Sequence, residues 1–297
     1  MPDDRKLVSF DWAMKKILRK KVNFGILEGF LSELFKFDLK IEEILESEAN
    51  QETETAKFNR VDLLAKNDKD ELILIEVQFD SEQDYFHRML YGASKLISEY
   101  MISGEEYKTV KKVYSVNIVY FALAKGEDYL YYGKTEFKGL TKKDEIFELS
   151  NLQQKLFKID NVHQIFPEYY VIRVNKFKDE IKNSLDEWIY FLKNEMIQNR
   201  FQAKGLDKAK QTLDVLKLDN KDRQVYNRRL NNKSLEKSVY SSGKLDGEKI
   251  GIKKGLEQGK KQRDIEIAKT SLAQGIDIQT ISLITGLTTQ EIEDLKL

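Results

Sequence analysis

Cysteine is absent and histidine nearly so: of 297 residues none is Cys, and only His87 and His163 are His. No disulfide, thiolate nucleophile or cysteine-ligated zinc can form, and a histidine-rich metal site has too few ligands. An excess of charge of either sign is missing too, since Lys plus Arg and Asp plus Glu number 50 each. Affinity for nucleic acid must therefore come from local basic patches rather than a global field. No apolar run is long enough to span a bilayer, and the opening MPDDRKLVSF lacks the apolar stretch of a secretory signal. Cytoplasmic residence without a membrane partner is the expectation. What remains is 41% hydrophobic and 11% aromatic content, enough for one large core or two smaller ones.

Residues 12–37 place Ile17, Phe24, Leu27, Leu31, Leu34 and Phe35 at helical spacing, which predicts one helix or two with a break near Asn23 to Gly25. KIEEILESE, FNRVDLLAK and ELILIEVQF read as a strand and then a hairpin about the turn NDKD. Residues 81–103 carry Phe86, Met89, Leu90, Ala93, Leu96, Ile97 and Tyr100 on one face of an amphipathic helix. KVYSVNIVYFAL is a further apolar strand, and YLYYGKTEF, EIFELS and YYVIRV are expected at the sheet's margin. From about residue 184 the pattern turns helical, with Ser184 and Glu187 at capping-box spacing. Glycines then recur at 243, 247, 251, 255 and 259, a period that lines one side of a helix but weakens it at about 1 kcal/mol each. The last 35 residues suggest a small helix-turn-helix-like tail. The expected division is a core over 1–150, a mainly helical region over 151–240 and a glycine-periodic tail over 241–297.

Within ELILIEVQF, Glu76 interrupts a run otherwise suited to a strand covered on both faces, where an unbalanced carboxylate costs several kcal/mol. A hairpin closed by Asn67 opposite Glu71 gives facing residues whose numbers sum to 138. Val61 then faces Val77, Leu63 faces Ile75 and Ala65 faces Ile73, so one side of the hairpin is apolar throughout. On the other side Asp62 falls opposite Glu76, and Gln78 shares that face. Like charges so placed need a proton, a basic partner or a metal ion between them. A divalent cation resolves the conflict, and Mg²⁺ prefers oxygen ligands, commonly one or two carboxylates together with substrate phosphate.

Asp62, thirteen intervening residues and then Glu76-Val77-Gln78 resembles the Asp…(Asp/Glu)-x-Lys signature of PD-(D/E)XK nucleases, with Gln in place of Lys. Together with FDWAMKKIL, FHRMLYGASKLISEY, SLDEWIYFL and the tail ending ISLITGLTTQEIEDL, the chain is similar over nearly its whole length to the Rpn family of recombination-promoting nucleases and transposases. The resemblance implies an α/β restriction-endonuclease-like core, a mixed sheet flanked by helices. It also implies Mg²⁺-dependent cleavage of DNA, with Asp62 and Glu76 as metal ligands and the Val77 carbonyl as a third. Gln78 departs from the pattern, because an amide can orient a water but not deprotonate it.

Further candidates are less specific. Arg88, Tyr91 and Lys95, at i, i+3 and i+7, share a helix face suited to DNA phosphates or simply to solvent. Glu28 could add an acid from the first helical segment, although a surface glutamate fits as well. The cluster Lys15, Lys16, Arg19, Lys20 and Lys21, and the tail's Lys249, Lys253, Lys254, Lys260, Lys261 and Arg263, could grip a DNA backbone, although charge runs commonly form solvated faces. Cleaving both strands takes two such sites, and the tail is a candidate for bringing chains together as a homo-oligomer. A nuclease fold kept as a DNA-binding or protein-interaction module, without useful catalysis, is the competing reading.

Overall fold

The computed structural model describes residues 7–45, 63–101, 104, 106–142 and 145–295. One mixed sheet of six strands has the order β1-β2-β3-β4-β6-β5. The strands are β1 (Ile41–Leu45), β2 (Leu63–Asn67), β3 (Leu72–Gln78), β4 (Val113–Val119), β5 (Leu130–Gly133) and β6 (Glu168–Arg173). β1, β2 and β3 pair antiparallel, β3, β4 and β6 run parallel, and β5 closes the edge antiparallel to β6. The parallel strands β3 and β4 are buried almost end to end, which is why their sequences read as mainly apolar runs.

Helices cover both faces. On one, α1 (Phe10–Lys16), α2 (Phe24–Phe35) and α5 (Ser184–Asn194) interlock through edge-on and tilted rings, with Phe10 to Phe30 and Phe30 to Trp188 each 5.5 Å between centroids. A short 3₁₀ turn at Lys21–Asn23 separates α1 from α2, close to the break expected from the sequence. On the other face α3 (Tyr85–Glu99) lays Ala93 and Leu96 over Leu64, Leu72, Leu74 and Val113. Side chains alternate along a strand, so every even-numbered residue of β3 lies beneath α3.

Two expectations change. YYVIRV becomes β6, an inner strand between β4 and β5, so the sheet is complete only beyond residue 150 and the first compact unit extends over Met1–Arg223. EIFELS contributes only an isolated bridge, Lys138 to Ile146. The cap of α5 also lies one residue earlier than its spacing suggested. Asn183 accepts from Leu185 and Asp186, and Asp186 answers as the box partner.

Gln224–Leu297 is a second compact unit. The glycine-periodic segment lies within one continuous helix, α7 (Asn220–Ala273). Lys, Glu, Gln and Leu, all good helix formers, occupy most positions between the glycines. The end of α7 packs with α8 (Ile278–Thr285) and α9 (Thr289–Asp294) around Ala268, Ile281, Leu287 and Ile292. Asp277 caps α8, and Thr288 with Glu291 forms a capping box on α9. Among the described residues, no helix is long and apolar enough to cross a membrane.

Glycines in the two units predict opposite outcomes. A Cβ on Gly29 of α2 would meet the Lys204 carbonyl oxygen at 2.1 Å and the Gly205 Cα at 2.9 Å, both backbone atoms that cannot swing aside. Gly29→Ala should therefore cost about 1–3 kcal/mol in urea denaturation. A Cβ on Gly251 meets nothing within 4 Å, so Gly251→Ala should slow amide exchange in α7, with a gain of up to about 1 kcal/mol.

Candidate active site

The β2–β3 hairpin closes as its residues dictate. Asn67 N donates to Glu71 O at 3.1 Å, and the loop between them is Asp68, Lys69 and Asp70, with Asp70 taking the left-handed φ of 63°. The register is Leu63 to Ile75, Leu64 to Leu74 and Ala65 to Ile73, each pair summing to 138. Asp62, next in sequence before Leu63, lies outside the described residues, as does Val61.

Glu76 is 6% exposed, near the carboxyl end of β3 and on the face beneath α3. Arg88 of α3 brings Nε to 3.3 Å from Glu76 Oε2. The same guanidinium donates through Nη1 to both oxygens of Glu82, at 2.8 and 3.2 Å. Gln78 Nε2 donates to Glu82 Oε1 at 2.7 Å, which leaves the amide oxygen as the group Gln78 can offer a cation or a water. Two carboxylates, one guanidinium and one amide thus share the end of the strand. Burial penalises the charge on Arg88, yet Glu76 and Glu82 together hold its pKa above the ordinary arginine value. Glu76 pairs across the parallel ladder with Asn117 of β4, whose Oδ1 accepts from the Tyr85 hydroxyl at 3.2 Å, so the floor beside the carboxylate is polar.

The other candidates are dispersed. Tyr91 is exposed on α3, and Lys95 pairs with Glu99 at 3.2 Å. Val77 is buried on the opposite face of β3, which leaves only its backbone to serve the site. Glu28 Oε1 accepts from the Ile41 backbone N–H at 2.9 Å, tying α2 to the start of β1. Lys16 is exposed, and the side chain of Lys15 lies outside the described residues. Among the described residues, no three His, Asp or Glu side chains converge on a metal site. Glu76, Glu82 and Gln78 carry hard oxygens of the kind Mg²⁺ takes.

Sequence reading missed Glu82 and Asn117. Glu82 sits in the polar run DSEQD ahead of α3, where nothing local distinguishes it from a solvated acid. Asn117 is visible as an amide inside the apolar run VYSVNIV, a signal of the same type that singled out Glu76.

The family model for PD-(D/E)XK nuclease family transposases matches residues 8–243, and the model for the C-terminal HTH domain of the Rpn/YhgA-like nuclease family matches residues 261–297. Comparison with curated proteins and with solved structures gives no match.

Removing Arg88 tests the charge balance. Arg88→Met strips a nearly buried carboxylate of its counter-charge and should lower stability by about 2 kcal/mol in the presence of a chelator. Glu82→Gln, at a more exposed position, should cost under about 1 kcal/mol in the same denaturation series.

Proposed function

The chain belongs to the PD-(D/E)XK nuclease family transposases, and from that premise we propose that it is a Mg²⁺-dependent endonuclease that hydrolyses DNA phosphodiesters in recombination or mobile-element transfer. One observation carries the reading: a buried carboxylate, Glu76, lies at the carboxyl end of a central parallel strand with a water-orienting amide two residues on and a guanidinium above it. Ligand sites in open α/β sheets favour the carboxyl ends of parallel strands.

Glu76 and Asp62 would hold the cation, with the Val77 carbonyl as a third ligand. When bound, such a cation would supply Lewis acidity to the phosphate and to the attacking water. Gln78 holds the attacking water through its amide oxygen. Without a lysine at this position the side chain takes no proton, so the proton leaves by solvent or by a substrate phosphate oxygen. Arg88 offsets part of the charge of Glu76 and Glu82, and its guanidinium would neutralise a phosphate of the bound DNA. Tyr91 and Lys95, further along α3, extend the contact to the DNA backbone.

The tail's role follows from its charges. Lys249, Lys253, Lys254, Lys260, Lys261 and Arg263 lie on α7, whereas α9 carries Glu291, Glu293 and Asp294, which phosphates repel. Backbone contacts are therefore assigned to α7, and a homo-oligomer joined through the tail would supply the two active sites that double-strand cleavage needs.

The second reading, a nuclease fold retained as a binding module, draws on the same contact. Arg88 already pairs with Glu76 at 3.3 Å, so that carboxylate has a counter-charge without a cation. Nicking of supercoiled plasmid, with Mg²⁺ and with chelator, separates the two. The endonuclease reading predicts Mg²⁺-dependent nicking that Asp62→Ala and Glu76→Ala each abolish while the fold persists. Gln78→Lys should keep or raise the rate, and Gln78→Ala should lower it by about one to two orders of magnitude. Absence of nicking alongside salt-dependent DNA binding would support the module. Deleting residues 241–297 should flatten the fall of log affinity with log salt.

A further inference from the structure

A cleft of about 1210 Å³ opens at the other end of the sheet, bounded by the β2–β3 turn, the amino ends of β4 and β6, the end of α2, and α4 (Asn151–Phe157). Glu71 on its wall precedes Glu76 by five residues, about 16 Å at roughly 3.3 Å per residue of strand. It is thus a separate place from the proposed catalytic end.

The walls are aromatic. Phe35 lies 4.8 Å from Tyr114 and 4.9 Å from Tyr170, Phe37 stacks on Phe35 at 5.6 Å, and Tyr132 leans on Tyr170 at 5.1 Å. The floor is charged but neutral in sum. Lys112 Nζ bonds Glu168 Oε1 at 2.7 Å, and both side chains are under a tenth exposed. The same ammonium also donates to the carbonyls of Phe166 at 2.7 Å and His163 at 3.1 Å, so its three donors are used.

Glu168 Oε2 also accepts from the Tyr170 hydroxyl at 3.5 Å, and the Tyr132 hydroxyl bonds the same carboxylate. Glu71 Oε1 stands likewise 3.5 Å from the Tyr114 hydroxyl. Burial, with the nearby carboxylates Glu71 and Glu168, pushes the Tyr114 phenol well above its ordinary pKa, and burial with Glu168 does the same for Tyr170. At neutral pH the phenols stay protonated and donate to these carboxylates, whose remaining lone pairs can take further donors. At the mouth stand Lys36, Lys69, Lys108 and Lys111. Lys108 and Lys111 are paired with Glu106 and Asp70, while Lys36 and Lys69 form no ion pair among the described residues.

The geometry points to a binding site for a purine 5′-nucleotide: a flat base stacks on the exposed ring of Tyr132 at the edge of the aromatic wall, Glu71 and Glu168 accept N–H groups from its edge, and Lys36 and Lys69 hold the phosphate. Stacking and carboxylate acceptors select a heteroaromatic edge with donors, whereas the lysines exclude a cationic ligand such as an ammonium. The volume suffices for one or two nucleotides. A free nucleotide and the 5′-terminal nucleotide of a strand share this chemistry. The assignment does not rest on the nuclease reading.

Isothermal titration of the full-length protein in EDTA, with GMP, guanosine and 5′-phosphorylated d(GpTpT) as probes, tests it. GMP should bind saturably. Tyr132→Ala, at a half-exposed edge-strand position whose loss leaves the core intact, should weaken that binding about tenfold. Lys36→Ala combined with Lys69→Ala should weaken GMP about tenfold and leave guanosine unchanged. The same pattern seen with the trinucleotide but not with GMP would identify a strand terminus as the occupant. Glu76→Ala should bind GMP like the wild type. Absence of heat from both phosphorylated probes up to about 5 mM, or binding indifferent to both cleft variants, would overturn the assignment. So would loss of GMP binding in Glu76→Ala.

Discussion

The contact between Glu76 and Arg88 is where the constraints of this fold meet. β3 is a central strand covered by helices on both faces, so a carboxylate near its end cannot reach bulk water and must find positive charge in the protein or in a ligand. α3 supplies it. The helix is anchored one turn and more away by Ala93 and Leu96, and this packing fixes how far Arg88 reaches. Glu82 then accepts from both Arg88 and Gln78, so the four side chains form one connected group. A change in any one of the four propagates to the others, as expected where buried polar groups hold each other in place.

The two ends of the sheet divide the polar chemistry. At the carboxyl end, two acids share one guanidinium, leaving net negative charge that suits a cation and then a phosphate. At the amino end, Lys112 and Glu168 cancel, and the remaining character is aromatic with a basic mouth. The C-terminal unit repeats the contrast within a short stretch of chain, with basic residues along α7 giving way to acids on α9. Local charge thus does what the balanced total of 50 against 50 cannot.

Much of this was legible in the residues. The hairpin register followed from apolar pairs such as Leu63 with Ile75, because slipping by one residue would expose an entire apolar face. The two amphipathic helices flanking that sheet followed from their stripes, and the helical tail from Gly275 and Gly286 between short apolar segments. Less legible was the order of strands. β6 reads as a short marginal run, yet it inserts between β4 and β5, and nothing in local periodicity encodes which neighbour a strand takes. The site was half legible: Glu76 and Gln78 stand out against an apolar background, whereas Glu82 is one acid among several in a polar loop and gains its role only when α3 folds back. The glycine period pointed to a helix, and its glycines lie within α7.

If Glu76 is a cation ligand that Arg88 balances in the cation's absence, the two positive charges compete for one carboxylate. Titration of Mn²⁺, as a spectroscopic substitute for Mg²⁺, followed by electron paramagnetic resonance measures that competition without any requirement for turnover. The account predicts one site in the wild type, its loss in Glu76→Ala and in Asp62→Ala, and binding about tenfold tighter in Arg88→Met, where the competing charge is gone. Mn²⁺ binding that is indifferent to Glu76→Ala, or weaker in Arg88→Met than in the wild type, would contradict it.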